Sequence, residues 1–133
     1  MKLSILTPER KLLEAVEVSE ITVPTQEGII QILPGHIPFV GVIETGVLKC
    51  SVVGKPEQFR ASVSSGFIHV HGDHVEVVAE TLELPHEIDR TRARAAQEKA
   101  ERILREGSLG EAEFKKYQLK LQRSLIRQQL SDK

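Results

Sequence analysis

Three histidines near the middle of the sequence offer a possible route to catalytic chemistry, because imidazole is a common ligand of zinc and other transition metals. His69 and His71 are separated by one residue, and His74 and Glu76 follow shortly after. Side chains two positions apart on a β-strand point to the same face, so His74 or Glu76 could join both rings around one ion. We call His69, His71 and His74 the histidine cluster.

A cupin-like metal-dependent enzyme is the function that the histidine cluster would favour. Such enzymes need a second motif with another His and usually an Asn, but only His86 follows and the sequence contains no Asn. Ile68 and Val70 alternate with the histidines, so they should face the core and leave His69 and His71 in solvent. The metal enzyme is therefore kept as the alternative hypothesis, and a polar strand face is the simpler interpretation.

A second group of residues forms the segment Leu33-Pro34-Gly35-His36-Ile37-Pro38. Two prolines and one glycine in so short a stretch fix the backbone tightly. The segment predicts either a rigid turn between strands or a stiff docking surface, and its residue types alone do not separate the two.

A third group is a row of cations near the C-terminus. Lys116, Lys120, Arg123 and Arg127 recur at helical spacing and should share one helix face; we call them the basic stripe. A bare row of cations is a weak signal for nucleic acid, and the isoelectric point near 6.5 argues against it. An acidic protein surface is at least as good a partner, so we expect no nucleic-acid binding.

The remaining sequence predicts the elements that position these groups. Residues 1–84 contain short alternating runs separated by Gly and Pro, including the turn candidate Ser65-Gly66, which is typical of an antiparallel β-sandwich. Residues 85–88 are a predicted hinge, and Asp89 is a good helix N-cap. Residues 89–133 then predict a two-helix hairpin that is broken at Gly107 and Gly110 and resumes at a Ser108–Glu111 capping box. The fold class is therefore α+β.

Composition and charge limit the possible functions further. Cys50 is the only cysteine, so an internal disulfide is excluded, and we expect neither a signal peptide nor a membrane-inserted segment. Residues 1–87 carry a net charge of −6 and residues 88–133 carry +5. There is no phosphate-binding Gly-x-x-x-x-Gly-Lys loop and no assembled nucleophile–base set. We therefore expect no catalytic residues, no metal site and no required cofactor.

The second predicted helix has two apolar faces, one with Phe114, Tyr117 and Leu125 and the other with Ile126 and Leu130. A helix in a simple hairpin needs only one apolar face, so the second helix should have two partners. Either the first helix covers one face and the sandwich covers the other, or alternative partners share the second face. Because the first helix offers mainly alanines and isolated helices of this length are marginally stable, the hairpin is expected to be stable only when docked, and therefore able to move.

Residues 23–38 resemble a stretch of the epsilon subunit of bacterial F-type ATP synthases, in which a Gly-containing turn and a strand lead into a Leu-Pro-Gly-His-x-Pro loop. Ser65-Gly66-Phe67 is similar to the Ser-Gly-Gly-Phe stretch of that family, with one Gly in place of two. The order of a sandwich and then a helical hairpin is also the order in that family, so the resemblance extends from end to end.

The resemblance implies a rotor subunit in the central stalk. The sandwich would bind the gamma subunit and the c-ring through Leu33, Pro34, Gly35, His36 and Pro38, and would couple the catalytic part of the complex to the ring. The hairpin would alternate between a compact form and an extended form. In the extended form the basic stripe would meet an acidic segment of the beta subunits and inhibit ATP hydrolysis.

The resemblance also implies a regulatory site for ATP, which some members bind through the motif Ile/Leu-Asp-x-x-Arg-Ala. That motif is complete here, and the residues implied in binding are Glu83, Ile88, Asp89, Arg92, Ala93, Lys99, Arg123 and Arg127. Arginine binds phosphate oxygens in a bidentate manner, and Asp89 could accept hydrogen bonds from adenine or ribose. The chain itself would be non-catalytic and peripheral, at the cytoplasmic face of a bacterial plasma membrane or at a thylakoid membrane.

Overall fold

Strands form where apolar and polar residues alternate. A computed structural model of the protein describes residues 1–107 and 109–131. These residues contain seven strands. Two compact units are present, Met1–Glu83 and a second unit that begins at Leu84. The strands of the first unit are β1 (Lys2–Leu6), β2 (Lys11–Thr25), β3 (Gly28–Ile32), β4 (Phe39–Ile43), β5 (Gly46–Val52), β6 (Gln58–His71) and β7 (His74–Glu83).

The predicted β-sandwich is confirmed, and its core follows from the alternation. In β7, Val75, Val77 and Ala79 are buried, while Glu76 is exposed and Val78 is partly buried. The core is aliphatic, and its largest fully buried side chains include Leu3, Ile5, Ile21, Ile32, Leu48 and Ile68. Cys50 lies in the same core, and burial raises the pKa of its thiol to about 11.

The long strands β2 and β6 connect the two layers of the sandwich. The sequence-based prediction for the middle of β6 was wrong. Ser65-Gly66 was predicted to be a turn, but both residues lie inside β6, with φ angles of 59° and 152°. Before this point β6 pairs with β5, and after it β6 pairs with β4. The two positive φ angles bend the strand, so one strand takes part in both layers instead of ending in a hairpin.

One strand pairing departs from the predicted antiparallel arrangement. β1 is antiparallel to β2 but parallel to β7, with Lys2 opposite His74 and Leu6 opposite Val78. Parallel neighbours need a long connection, and the five strands between β1 and β7 supply it. The pairing places the first strand of the sandwich beside the last one and closes one side of the sheet.

The second unit contains a short 3₁₀ helix (Pro85–Glu87), α1 (Arg90–Glu106) and α2 (Glu111–Ser131). Asp89 is the N-cap of α1, as predicted, and Gly107 ends that helix with a φ of 69°. The predicted capping box depends on Ser108, which lies outside the described residues, as do the last two residues of the predicted hairpin. None of the helices in the described part of the chain is long and apolar enough to span a membrane.

We predict that Gly66→Ala destabilises the sandwich by about 2 to 3 kcal/mol. A Cβ atom at this position would collide with the carbonyl oxygen of Val78 and lie 2.8 Å from the Cα of Ala79. Gly54→Ala is the matched control, because Gly54 also has a positive φ, of 85°, but has open space around it. Urea unfolding measures both, and an equal loss of stability in the two variants would show that φ strain alone matters.

Candidate functional site

The loop between β3 and β4 is a fixed turn with apolar side chains in solvent. The backbone N–H of His36 donates to the carbonyl oxygen of Leu33 over 3.1 Å, and Gly35 has a φ of 86°. Pro34 followed by a positive-φ glycine is the residue pattern of a type II turn.

Apolar side chains around this turn are exposed to an unusual degree. Ile37 is 74% exposed, and Val40 at the start of β4 is 68% exposed. Leu33 is half exposed. Large apolar side chains gathered around a stiff loop are typical of a surface that another protein covers.

Asp89 begins α1 and organises the predicted Ile88–Ala93 motif. One of its carboxylate oxygens accepts a hydrogen bond from the backbone N–H of Arg92 over 3.1 Å. Its carbonyl oxygen accepts from the N–H of Ala93 over 3.0 Å, and the side chain of Ala93 is buried. The motif therefore has a clear local role, which is to start the helix.

A groove of about 310 Å³ lies between α1 and α2. The described residues that line it share small or cationic side chains, apart from one aromatic ring, and include no carboxylate; they are Ala96, Lys99, Ala100, Tyr117, Lys120, Arg123, Ser124 and Arg127. Alanine and serine let the two helices approach closely, and four cations from both helices surround the space. Such a groove attracts a ligand with several negative charges.

One hydrogen bond joins the two helices next to the groove, and a second one within α1 continues it. The side-chain amide of Gln128 donates to the side-chain oxygen of Gln97 over 2.6 Å, and Gln97 donates to a carboxylate oxygen of Glu101 over 2.6 Å. Gln97 and Gln128 directly follow the groove residues Ala96 and Arg127 in sequence. This amide pair therefore links the two helices beside the cations.

Three of the residues implied in ATP binding, Lys99, Arg123 and Arg127, line the groove together. Arg92 lies one helical turn before Ala96 and on the same side of α1, but it is not among the lining residues. Ile88 and Asp89 are at the start of α1, Ala93 is buried, and Glu83 ends β7 in the other unit.

The basic stripe coincides with the groove over most of its length. Lys120, Arg123 and Arg127 line the groove, whereas Lys116 does not and instead has its Nζ atom 5.8 Å from the centre of the Tyr117 ring. Sequence reasoning placed Lys120 in the basic stripe and missed its place in the groove. The sequence did contain a signal for this place. Residues 96, 99 and 100 on α1 and residues 120, 123, 124 and 127 on α2 have the same three- and four-residue spacing, so each set lies on one face of its helix.

The histidine cluster is spread over the exposed face of β6 and β7. His69 is opposite Glu76, His71 is opposite His74, and the ring centres of His69 and His71 are 5.8 Å apart. All three histidines are exposed, as expected from the alternation. Among the described residues, no group of three or more His, Cys, Asp or Glu side chains is arranged to hold a metal ion.

Comparisons with known families identify the two units. The model for the β-sandwich domain of the ATP synthase delta/epsilon chain matches residues 1–85. The model for the long α-helix domain of the same chain matches residues 86–132.

Individual relatives agree with the family models. The epsilon chain of Geobacter metallireducens ATP synthase is 37% identical over 100% of this chain and 94% of its own length. The epsilon chain of Halalkalibacterium halodurans is 35% identical over 96% of this chain and 93% of its own. The epsilon chain of Bdellovibrio bacteriovorus is 45% identical, but the match covers 67% of this chain and 64% of that relative.

Solved structures share the fold. A chain of the Euglena gracilis mitochondrial ATP synthase superposes with a TM-score of 0.84 at 24% identity, over 95% of this chain and 78% of its own length. A chain from the central stalk and c-ring of the Tetrahymena thermophila mitochondrial enzyme gives a TM-score of 0.67 at 18% identity, over 98% and 95%. At these identities the likeness shows the fold alone.

A β-sandwich followed by two helices, matched along its length by two models of one family, defines the class of protein. The chain belongs to the ATP synthase delta/epsilon family, and the predicted recognition as an epsilon subunit of the bacterial type is confirmed. This membership replaces the alternative of a cupin-like enzyme.

We predict that Asp89→Ala lowers the free energy of unfolding of the hairpin by about 1 kcal/mol, because the N–H of Arg92 loses its acceptor. Asp89→Asn should retain most of the stability, since an amide oxygen also caps a helix. Urea titration followed by far-ultraviolet circular dichroism gives both values. Equal destabilisation in the two variants would mean that the negative charge at the helix N-terminus stabilises α1 more than the hydrogen bond does.

Proposed function

We propose that the chain is a non-catalytic rotor subunit of a proton-translocating ATP synthase, with a sandwich that docks and a helical hairpin that regulates. The observation that carries the regulatory part is the groove, because its cations come from both helices. A site in which one ligand contacts all of these cations exists only while the two helices lie side by side. ATP would therefore favour the compact hairpin.

The docking role rests on the loop between β3 and β4. Its turn is fixed by the hydrogen bond between His36 and Leu33, and Ile37 presents an apolar side chain beside it. The proposed partners of this surface are the gamma subunit and the c-ring. The subunit would then be peripheral, at the cytoplasmic face of the bacterial plasma membrane, or at the thylakoid membrane in a photosynthetic source.

The inhibitory role rests on the basic stripe. Once the hairpin extends, Lys120, Arg123 and Arg127 are no longer collected in a groove and can pair with the acidic segment of the beta subunits. The same cations thus serve two anionic partners in turn, and each partner competes with the other. ATP binding and inhibition of hydrolysis should therefore oppose each other.

The docking and regulatory roles are separated by adding the protein to an ATP synthase catalytic complex that lacks its epsilon subunit. The full chain should bind and slow ATP hydrolysis, and a chain that ends at Leu84 should bind without slowing it. Failure of both forms to bind would refute the docking role. Binding of both without inhibition would refute the regulatory role.

Charge reversal tests whether the groove cations have both functions. Arg123→Glu combined with Arg127→Glu should relieve inhibition and abolish the rise in melting temperature that ATP causes, because ligand binding stabilises the form that binds it. Lys115→Glu is the control, since Lys115 lies on α2 outside the groove and pairs with Glu111 over 3.6 Å. Retention of both effects in the double variant would show that these arginines bind neither partner.

A further inference from the structure

His69 and His71 form a pair of neighbouring imidazole rings on the outer face of the sandwich. Their ring centres are 5.8 Å apart, and the ring planes are inclined by 52°. Both side chains are exposed, and within the part of the chain that the structure describes neither ring has a hydrogen-bond or ion-pair partner. The ring nitrogens are therefore available to bind a ligand.

The backbone that carries the two rings is held on both sides. His69 lies opposite Val40 of β4 and opposite Glu76 of β7, so β6 is an inner strand at this position. Ile68 and Val70 alternate with the two histidines and are buried in the core. Strand pairing and core packing thus fix the separation of the two histidine backbones, and only the side-chain torsions remain free to adjust.

The spacing of the rings fits the chelation of one transition-metal ion. In such a chelate each ring nitrogen lies about 2.0 to 2.1 Å from the ion, which places the two ring centres about 5 Å apart. The observed separation of 5.8 Å is within about 1 Å of that value. Rotation of the exposed rings about their χ angles covers the difference, so no backbone movement is needed.

A catalytic or structural zinc centre is a different kind of site, because it uses three or four protein ligands. No group of that size is arranged around an ion among the described residues. Two imidazoles suffice for a weaker site in which water occupies the remaining positions. Imidazole suits ions such as Zn²⁺, Ni²⁺ and Cu²⁺, whereas Mg²⁺ prefers oxygen ligands.

We propose that His69 and His71 chelate a divalent transition-metal ion, with Cu²⁺ bound more tightly than Ni²⁺ or Zn²⁺. The sequence led us to expect no metal site, because the second motif of a cupin-like enzyme is missing, but a two-ligand site does not require that motif. The open positions of the ion face solvent and can accept a ligand from another molecule. The inference is independent of the proposed rotor function, since it depends only on the geometry of β6.

The test uses the full chain without an affinity tag and titrates it with Cu²⁺, Ni²⁺, Zn²⁺ and Mg²⁺ in a calorimeter. One equivalent of ion should bind, Cu²⁺ should bind most tightly, and Mg²⁺ should give no binding signal. The only thiol of the chain does not compete for the ion, because Cys50 is buried in the core. A chain that binds neither Cu²⁺ nor Zn²⁺ would refute the site.

Each histidine of the pair is tested by its own substitution. His69→Gln and His71→Gln should each weaken Cu²⁺ binding by at least about tenfold, because the second ligand of a chelate acts at a high effective concentration. His86→Gln is the matched control, since His86 is also exposed but lies in the 3₁₀ helix of the other unit. Equal weakening in all three variants would mean that the ion binds surface histidines without selectivity, and the assignment would be wrong.

His74 is the competing ligand, because it lies directly opposite His71 and a chelate across the two strands is the alternative pair. In the proposed site, His74→Gln weakens Cu²⁺ binding less than His69→Gln does. Electron paramagnetic resonance of the Cu²⁺-loaded protein should detect two coordinated imidazoles in the unmodified chain and one in His69→Gln. If His74→Gln removes an imidazole and His69→Gln does not, the ion bridges the two strands, and the role of His69 is refuted.

Discussion

Close packing of α1 against α2 is the constraint on which the helical unit depends. Ala93 and Ala100 are buried on α1, and Ser124 and Leu130 are buried on α2. Small side chains let the helices approach but bury little apolar area, so this contact contributes modest stability. Because the helices are close, cations on both of them reach a common groove. The small side chains between the helices thus explain both the weak packing and the charged groove.

The hydrogen bond between the side chains of Gln97 and Gln128 fixes the alignment of α1 relative to α2. Polar pairs inside helix interfaces often fix alignment at some cost in stability. Here the pair lies next to Ala96 and Arg127, so it aligns the two sides of the groove. The interface therefore combines a specific alignment of the two helices with a small buried apolar area.

The sandwich, unlike the helical hairpin, is stabilised by a large apolar core. Its fully buried side chains are branched and aliphatic, and β6 and β2 run through both layers. The turn at Pro34-Gly35 is therefore carried by a well-packed unit, and its backbone is fixed by the hydrogen bond between His36 and Leu33. A rigid docking unit and a marginally stable hairpin are what the proposed division of labour requires.

The sequence by itself determined the features that depend on neighbouring residues. Alternation predicted most strand positions, Asp89 was recognised as a helix cap, and Pro34-Gly35 indicated a stiff turn. The resemblance carried by residues 23–38 and 88–93 indicated the family. In the groove, Lys99, Arg123 and Arg127 were implied as ATP contacts by that resemblance, whereas helical spacing alone had placed Arg123 and Arg127 in the basic stripe.

Only the tertiary structure decided how distant segments meet. Ser65-Gly66 has the residue types of a turn, but pairing of β6 with β4, β5 and β7 makes it a bend within one strand. The parallel pairing of β1 with β7 joins residues some seventy positions apart. The place of Lys120 depends on the alignment of two antiparallel helices. Local preferences fix backbone angles and helix faces, whereas pairing over long separations is set by packing of the whole unit, which no short stretch of sequence encodes.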